Sequence, residues 1–197
     1  MESIYMIKAR ATIQNDGQIH QGDIYRDIDY IEYADIIDGQ INISKIRYQY
    51  VMVISQECDL AQDYNERNNQ RQKHDKLLQS IMVIPMFNYE QFKMGSHFSN
   101  FGYAMLNIYQ KKDSTASKNL MNNEVPRFHY IEMNDDISVI PSVMDFKRFF
   151  TADINYMYRK QKTNYVCSVE PIFRERISQR FANYLSRIGL PDGEQTI

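Results

Sequence analysis

The sequence predicts an α+β fold: a strongly bent antiparallel sheet or small β-barrel with helical insertions and a C-terminal amphipathic helix. Three patterns support this prediction, namely an Ile- and Tyr-rich hairpin, a continuously apolar stretch at 51–54, and helical spacing of apolar residues over 171–188. The 197 residues suffice for one well-buried core, so a single domain over 1–197 is expected. Its predicted parts are a barrel core over about 21–87 and 125–168, a helical insertion over about 88–120, and the closing helix over 171–188.

The hairpin is predicted from residues 23–55. In "DIYRDIDYIEYADII" Ile and Tyr alternate with polar residues, and Asp38-Gly39 then offers the two positive-φ positions of a two-residue turn. "QINISKIRYQYVMVIS" is therefore the returning strand. It alternates at Ile41 and Ile43, as a half-solvated strand does, and is continuously apolar at 51–54, as a strand covered on both faces is.

The middle of the chain predicts less regular structure. The polar segment "AQDYNERNNQRQKHDK" has no apolar periodicity, so a solvated insertion near 61–78 is expected, with at most a short helix near 67–78. "LLQSIMVIPMF" is a strand that Pro85 turns towards an edge or a bend. One or two short helices are predicted near 88–110, and "KKDSTASKNLMNNEV" is predicted to be irregular.

Two further strands and a helix complete the predicted fold. "PRFHYIEM" and "SVIPSVMDFKRFFTADI" are strands joined by the turn-forming residues 134–136. The closing helix has Pro171 in its first turn, where a missing N–H is tolerated, and Gly189 and Pro191 as its stop. Its outer face carries several arginines, which is typical of a solvated face; a basic stripe that binds RNA or an acidic partner is the alternative.

Composition disfavours several classes of function. The formal net charge is −2, so only a local patch could bind nucleic acid or a membrane surface. The N-terminal residues lack the apolar core of a signal peptide, and no run is long enough to span a bilayer; both predict a cytoplasmic protein with no membrane partner. Cys58 and Cys167 stand alone in the sequence, which suits a reducing compartment and predicts no zinc site. No motif such as GxGxxG or GxxxxGK[ST] occurs, so no cofactor is expected.

Polar residues 55–59, "SQECD", follow directly after the apolar stretch. Functional side chains often lie on a connection at the end of a rigid strand. Ser55, Gln56 and Asp59 are therefore candidate binding residues. Cys58 is a candidate nucleophile, although its acidic neighbours disfavour the thiolate. The alternative is that the thiol is a small structural side chain.

A thiol enzyme would need a base near Cys58. Among the four histidines, His129 in "RFHYIE" is the preferred partner because it lies in an apolar strand, and Asp145 is the candidate to orient its imidazole. The alternative for His129 is a partly buried ring that hydrogen-bonds to a backbone group.

The segment "DFKRFF" at 145–150 interleaves aromatic and basic residues. As a strand it would place Asp145, Lys147 and Phe149 on one face. Rings that stack on bases, beside cations that contact phosphates, form a single-stranded nucleic-acid platform. Lys147, Arg148 and Phe149 are therefore candidate binding residues, although a half-buried strand with a charged outer face has the same pattern.

The order "QGDIY", "VMVIS" and "IMVIP" within residues 21–87 resembles the small antiparallel barrel of PemK/MazF-type toxins. The resemblance implies metal-independent cleavage of single-stranded RNA, with Arg47 in the place of the family's arginine. The hydroxyl residue expected after the third motif is missing, since Pro85 is followed by Met-Phe-Asn. Barrels of this type often pair, so the resemblance also allows a homodimer. The whole chain also resembles a set of bacterial and phage-borne proteins that carry an SQxCDL motif.

Two classes of function follow from these observations. The first is a non-catalytic binding or regulatory module in a bacterial stress or phage-defence system, with a surface made by 55–59 and 145–150 that binds a protein partner or single-stranded RNA. The second is an enzyme, either a divergent endoribonuclease that uses Arg47 or a thiol hydrolase that uses Cys58 and His129.

Overall fold

A computed structural model describes residues 8–13, 15–69, 74–105, 109 and 114–187. Within this part of the chain the fold is α+β, as predicted, and its strands pair antiparallel in one sheet. The strands are β1 (Ala11–Thr12), β2 (Asp23–Ile37), β3 (Gln40–Val53), β4 (Ser80–Asn88), β5 (Phe128–Ile131), β6 (Ser142–Asp145), β7 (Phe150–Asp153) and β8 (Tyr165–Val169).

Helices cover both faces of the sheet and one of its edges. The α-helices are α1 (Glu57–Arg67), α2 (Tyr89–Lys93), α3 (Thr115–Met121), α4 (Ile154–Asn164) and α5 (Pro171–Leu185). Single 3-10 turns occur at His74–Lys76, Ser99–Phe101 and Phe146–Arg148. None of the helices in the described ranges is long and apolar enough to cross a membrane.

The sheet runs in the order β1-β8-β2-β3-β4-β6-β5, and β7 pairs with the first half of β4. The sheet is not closed, so the predicted barrel is not confirmed. Its two edges approach each other at Ala9, whose N–H donates to the Glu132 carbonyl at 2.7 Å and whose carbonyl accepts from the Asn134 N–H at 3.0 Å. This single parallel bridge, Ala9 to Met133, joins the edges without a ladder.

The predicted hairpin is confirmed, with β2 and β3 paired from Ile24–Met52 out to Ile37–Gln40. Asp38 and Gly39 form its tip with φ of 51° and 76°, the left-handed pair that a type I′ turn requires. The hairpin extends well beyond the buried part of the sheet. Residues 31–43 are exposed on both strands, so the outer half of the hairpin projects as a two-stranded arm.

The inner end of β3, residues 51–53, is buried on both faces of the sheet, as its continuous apolar run predicts. Met52 packs in a cluster that includes Ile177 and Phe181 of α5, whereas Val51 and Val53 pack on the other side with Leu60 of α1 and with α4. A third cluster lies under α2 and α3 at the β5 and β6 end of the sheet. The sheet therefore forms the middle layer of the packed structure.

The prediction of one continuous strand through 145–150 is wrong. Strand β6 ends at Asp145, the chain makes a 3-10 turn over Phe146–Arg148, and β7 begins at Phe150. Strands β6 and β7 both pair with β4, on either side of Ile84 and Pro85. Pro85 therefore lies inside a central strand rather than at an edge, at the place where the neighbouring ladder is interrupted; a residue without an N–H suits such a gap.

Three helices replace predicted loops or strands. The segment 57–67 is the regular helix α1, "STASKNLM" forms α3 with Ser114 as its N-cap, and α4 lies within the stretch of about 125–168 that was predicted to belong to the barrel core. Hydrophobic periodicity does not predict helix α1, because Leu60 and Asp63 are its only buried residues. The closing helix is confirmed from Pro171 to Leu185; its predicted end near Gly189 lies outside the described residues.

Asp63 is the polar anchor of α1 and is fully buried. Its carboxylate accepts hydrogen bonds from Arg67 Nε at 2.7 Å, the Leu78 N–H at 2.7 Å and the Tyr158 hydroxyl at 3.0 Å. One side chain thus joins α1, the segment before β4, and α4. Burial, together with the negative charge of Asp63, raises the pKa of the Tyr158 phenol, which stays a donor.

We expect Asp63→Ala to lower the free energy of unfolding by about 2–3 kcal/mol, because it leaves three donors without their acceptor. Exposed Asp59 on the same helix is the matched control, and Asp59→Ala should change the value by no more than about 0.5 kcal/mol. Urea unfolding of the three proteins measures both effects. Equal stabilities for the two variants would contradict this role of Asp63.

Candidate functional site

A cleft of about 300 Å³ lies where the base of the arm meets the 3-10 turn after β6. Four chain segments line it: β2, β3, the loop after α2, and the turn into β7. The lining residues are Tyr30, Glu32, Ile46, Tyr48, Phe98, Phe101, Tyr103, Lys147, Arg148, Phe149 and Phe150. Seven of these eleven side chains are aromatic, which gives the cleft flat walls.

An ion pair positions the turn that carries the cations. Asp145 is fully buried and accepts two parallel hydrogen bonds from Arg127, Nε to Oδ1 at 2.8 Å and Nη2 to Oδ2 at 2.6 Å. The same Oδ1 accepts from the Lys147 N–H at 3.1 Å, so Asp145 also caps the 3-10 turn. The strand therefore ends at Asp145, and residues 147–149 are turned outwards into solvent at the cleft.

The inner wall of the cleft is a packed set of rings. Tyr48 stacks on Phe150 with centroids 5.4 Å apart and an interplanar angle of 24°, and it meets Phe101 edge-on at 5.9 Å. Tyr30 contacts Phe150 from the other strand of the hairpin at 4.9 Å. Burial raises the pKa of Tyr48 to about 12, so its hydroxyl remains protonated and able to donate at neutral pH.

A second group of packed rings forms the wall beside the loop after α2. The Arg148 guanidinium lies 4.6 Å from the centroid of Phe98, and the imidazole of His97 lies 4.2 Å from the same centroid. His97 is buried against Phe87 and Phe92, and burial lowers its pKa to about 4. The imidazole is therefore neutral at physiological pH and packs against Phe98 as one more ring of this wall.

The rim of the cleft is accessible and mainly cationic. Tyr103 is 62% exposed and Phe149 is 37% exposed, so both rings can receive a planar ligand. Lys147 and Arg148 are exposed beside them. Glu32 lies on β2, across the cleft, and accepts a hydrogen bond from the Ser44 hydroxyl at 2.8 Å. The cleft thus combines accessible rings with two positive charges on one side and one carboxylate on the other.

The "SQECD" segment forms the start of α1, and its contacts hold the fold together. The Ser55 hydroxyl accepts from the Met82 N–H at 2.8 Å, which ties the end of β3 to β4. Gln56 is the N-cap residue of α1, although its side chain makes no capping hydrogen bond. Asp59 is exposed in the first turn, and the Cys58 thiol contacts both Gln56 Oε1 and Asp59 Oδ1 at 3.6 Å.

Glu57 makes three polar contacts with other elements, although it was not among the residues predicted from the sequence. One carboxylate oxygen lies 2.6 Å from His20 Nδ1; the other accepts from the Gln21 N–H at 2.8 Å and from Arg174 Nη1 at 3.2 Å. Glu57 thus joins the loop before β2 to α5. The hydrogen bond to Glu57, reinforced by Asp16 on the other ring nitrogen, raises the pKa of His20 to about 9.

The predicted catalytic residues lie in separate environments. His129 is buried; desolvation, with Arg180 and Arg176 nearby, lowers its pKa to about 3, and its Nδ1 has no hydrogen-bond partner. Asp145 pairs with Arg127 rather than with an imidazole. Arg47 binds Asp29 across the hairpin through Nε at 2.7 Å, and it is not among the residues that line the cleft.

Within the described residues, no group of three or more His, Cys, Asp or Glu side chains is arranged to hold a metal ion. Comparison with protein families and with curated proteins finds no match for the chain. The resemblance of residues 21–87 to PemK/MazF-type toxins therefore stays a prediction.

Lys147, Arg148 and Phe149 were predicted from the sequence, whereas most of the aromatic wall was not. Tyr48 and Phe98 come from segments 50 residues apart in the chain, and no local pattern indicates that they meet. One local pattern could have indicated part of the wall, namely the clustering of Phe98, Phe101 and Tyr103 beside Gly102. Three rings in six residues around a positive-φ glycine are typical of a loop that presents side chains.

The His20–Glu57 pair predicts a specific dependence of stability on pH. The pKa of His20 is raised from 6.5 to about 9, so the pair's contribution is complete below pH 6.5 and is lost as pH rises through about 9. We expect His20→Gln to reduce the free energy of unfolding by about 1–2 kcal/mol at the acidic end of this range and by little at its alkaline end. Urea titrations at intervals between these limits measure the difference. A difference that grows with pH would contradict the assignment.

Proposed function

We propose that the protein is a binding module for single-stranded RNA and that the aromatic cleft holds the bases. The observation that carries this proposal is the joint presence of two accessible rings, Tyr103 and Phe149, and two exposed cations, Lys147 and Arg148, around one cleft. Bases stack on aromatic side chains whatever their identity, and cations beside them contact the phosphates.

The charges of the cleft set the orientation of a bound strand. Phosphates are attracted by Lys147 and Arg148 and repelled by Glu32, so the RNA backbone follows the turn after β6. The bases then point across the cleft towards β2 and β3. A carboxylate accepts hydrogen bonds from exocyclic amino groups, so Glu32 favours adenine, cytosine or guanine over uracil at the adjacent position.

The rigid surroundings of the cleft favour binding. The Phe98 ring is fixed between His97 and Arg148, and Tyr48 is fixed between Phe150 and Phe101. Side chains that are already ordered lose little entropy when a ligand stacks on them. The resemblance to an RNA-cleaving family supports the choice of RNA as the ligand, whereas the contacts of Arg47, Cys58 and His129 do not favour a cleavage reaction.

Fluorescence anisotropy with a labelled adenine-rich single-stranded RNA tests the proposal. We expect Tyr103→Ala to weaken binding roughly tenfold or more, because a stacked base contributes about 1–3 kcal/mol. Tyr33 is equally exposed, at 62%, but lies outside the cleft on the arm, so Tyr33→Ala is the matched control and should bind as the wild type does.

The salt dependence of binding separates the cationic contribution. Each phosphate contact to single-stranded RNA adds about 0.7 to the slope of log affinity against log salt, so Lys147→Ala should flatten the slope by about that amount. Exposed Lys118 on α3 provides the control substitution Lys118→Ala. Wild-type affinity and slope in both Tyr103→Ala and Lys147→Ala, or no binding by the wild type, would overturn the proposal.

A further inference from the structure

A second cavity, of about 360 Å³, lies between the C-terminal half of α5 and the connection from α3 to β5. Its lining residues are Glu124, Pro126, Arg180, Asn183, Tyr184 and Arg187. The Glu124 carboxylate, its one acidic group, accepts a hydrogen bond from the Asn122 side chain at 3.4 Å. Like the cleft, this cavity therefore combines an aromatic ring and two cations with a single carboxylate.

Arg180 is held in a fixed position at the wall of the second cavity. Its Nη2 donates to the carbonyls of Val125 and Phe128, both at 2.9 Å. Its Nε is buried and has no hydrogen-bond partner among the described residues. Burial, together with the neighbouring charge of Arg176, lowers the pKa of Arg180. The guanidinium is thus a half-buried cation whose charge the surrounding protein does not compensate.

Arg180 belongs to a stripe of unpaired arginines. Arg176 lies one turn before it on the same face of α5, and Arg187 follows just beyond the end of the helix. In the described part of the chain none of the three forms a salt bridge. Glu175 lies off this stripe, about 100° round the helix from Arg176. The stripe therefore keeps its positive charge.

The buried imidazole of His129 lies in the field of this stripe. Desolvation lowers its pKa most, and the charges of Arg180 and Arg176 lower it further. A carboxylate close enough to neutralise the two arginines would act in the opposite direction. The potential between α5 and β5 is therefore positive, and an anion bound there would be stabilised.

The 3-10 turn after β6 lies against the same part of α5. Phe149, which lines the cleft, packs edge-on to Phe181 with centroids 5.2 Å apart. Phe146, at the start of the turn, packs on Tyr184 at 5.9 Å, and Tyr184 in turn lines the second cavity. Phe181 and Tyr184 are one helical turn apart. The cleft and the second cavity are therefore neighbours, joined by the turn that carries Lys147.

We propose that the second cavity is a further RNA-binding site, which takes the continuation of the strand held in the cleft. This inference rests on the proposed function, in which the RNA backbone follows the turn after β6. Beyond that turn the arginine stripe attracts the next phosphates, since a guanidinium binds phosphate through two parallel hydrogen bonds. The Tyr184 ring offers a surface on which a base can stack.

The composition of the second cavity favours RNA over an acidic protein segment as its ligand. An acidic segment would pair with the arginines, but it would have no use for the position beside the cleft. A single RNA strand uses both, because its phosphates and bases repeat along its length. Bound phosphates also supply the negative charge that Arg180 lacks.

Two connected sites predict that affinity depends on the length of the RNA. Once one part of a strand is bound, binding of the next part is intramolecular and adds affinity. Single-strand-binding surfaces cover about 4–16 nucleotides, so RNA of about 3 nucleotides can occupy the cleft alone, whereas RNA of about 12 nucleotides reaches both sites.

Fluorescence anisotropy with labelled adenine-rich RNAs of these two lengths tests the inference. We expect the wild type to bind the longer RNA at least about tenfold more tightly. Arg176→Ala with Arg187→Ala should remove most of this gain and flatten the salt slope for the longer RNA by about 1.4, or about 0.7 for each phosphate contact. The shorter RNA should bind this variant as it binds the wild type. Arg180 is kept because its hydrogen bonds to Val125 and Phe128 support the fold.

The control variant is Arg159→Ala with Lys162→Ala, which removes two exposed cations of α4 that line neither the cleft nor the second cavity. It should bind both RNAs as the wild type does. Equal affinity of the wild type for the two lengths, wild-type binding of the longer RNA by the α5 variant, or equal weakening by the α4 control would each overturn the inference. The proposed function would still stand in those cases if Tyr103→Ala weakens binding of the shorter RNA. No binding of either RNA by the wild type would overturn both.

Discussion

The ion pair between Arg127 and Asp145 is the contact on which the geometry of the cleft depends. Asp145 is at once the last residue of β6, the buried partner of Arg127 and the cap of the following 3-10 turn. Because of these contacts, β6 ends at Asp145, two residues before Lys147. Had β6 continued, every second residue of 145–150 would face the core, and Lys147, Arg148 and Phe149 would not be exposed together.

Two other carboxylates likewise join several elements of the fold, each through one side chain. Asp63 joins α1 to α4 and to the segment before β4, and Glu57 joins the loop before β2 to α5. Each of these carboxylates receives three hydrogen bonds or close polar contacts, and in each case two other elements of the fold contribute them, which compensates for its desolvation. The contacts of the segment "SQECDLAQD" therefore maintain the structure, whereas the cleft presents exposed side chains to solvent.

The sequence predicted the elements whose residues obey one local rule. The Asp38-Gly39 turn, the strand buried on both faces, and α5 with Pro171 at its start were all predicted and are confirmed. Helices α1 and α4 were missed because their buried faces include polar Asp63 and Gln161, so hydrophobic periodicity is weak. In the cleft the local cations were found, but the aromatic wall depends on tertiary contacts between β3, β7 and the loop after α2, which no single stretch of sequence encodes.

Photo-cross-linking to single-stranded RNA carrying a photoreactive nucleotide, followed by mass spectrometry of the labelled peptides, is the most direct test of the proposed RNA-binding cleft. The account predicts that label concentrates on peptides containing residues 98–103 and 147–150, the exposed loop and turn of the cleft. Label confined to the arginine-bearing face of α5 or to the tip of the arm, with none on those two segments, would contradict the assignment of the cleft as the binding site.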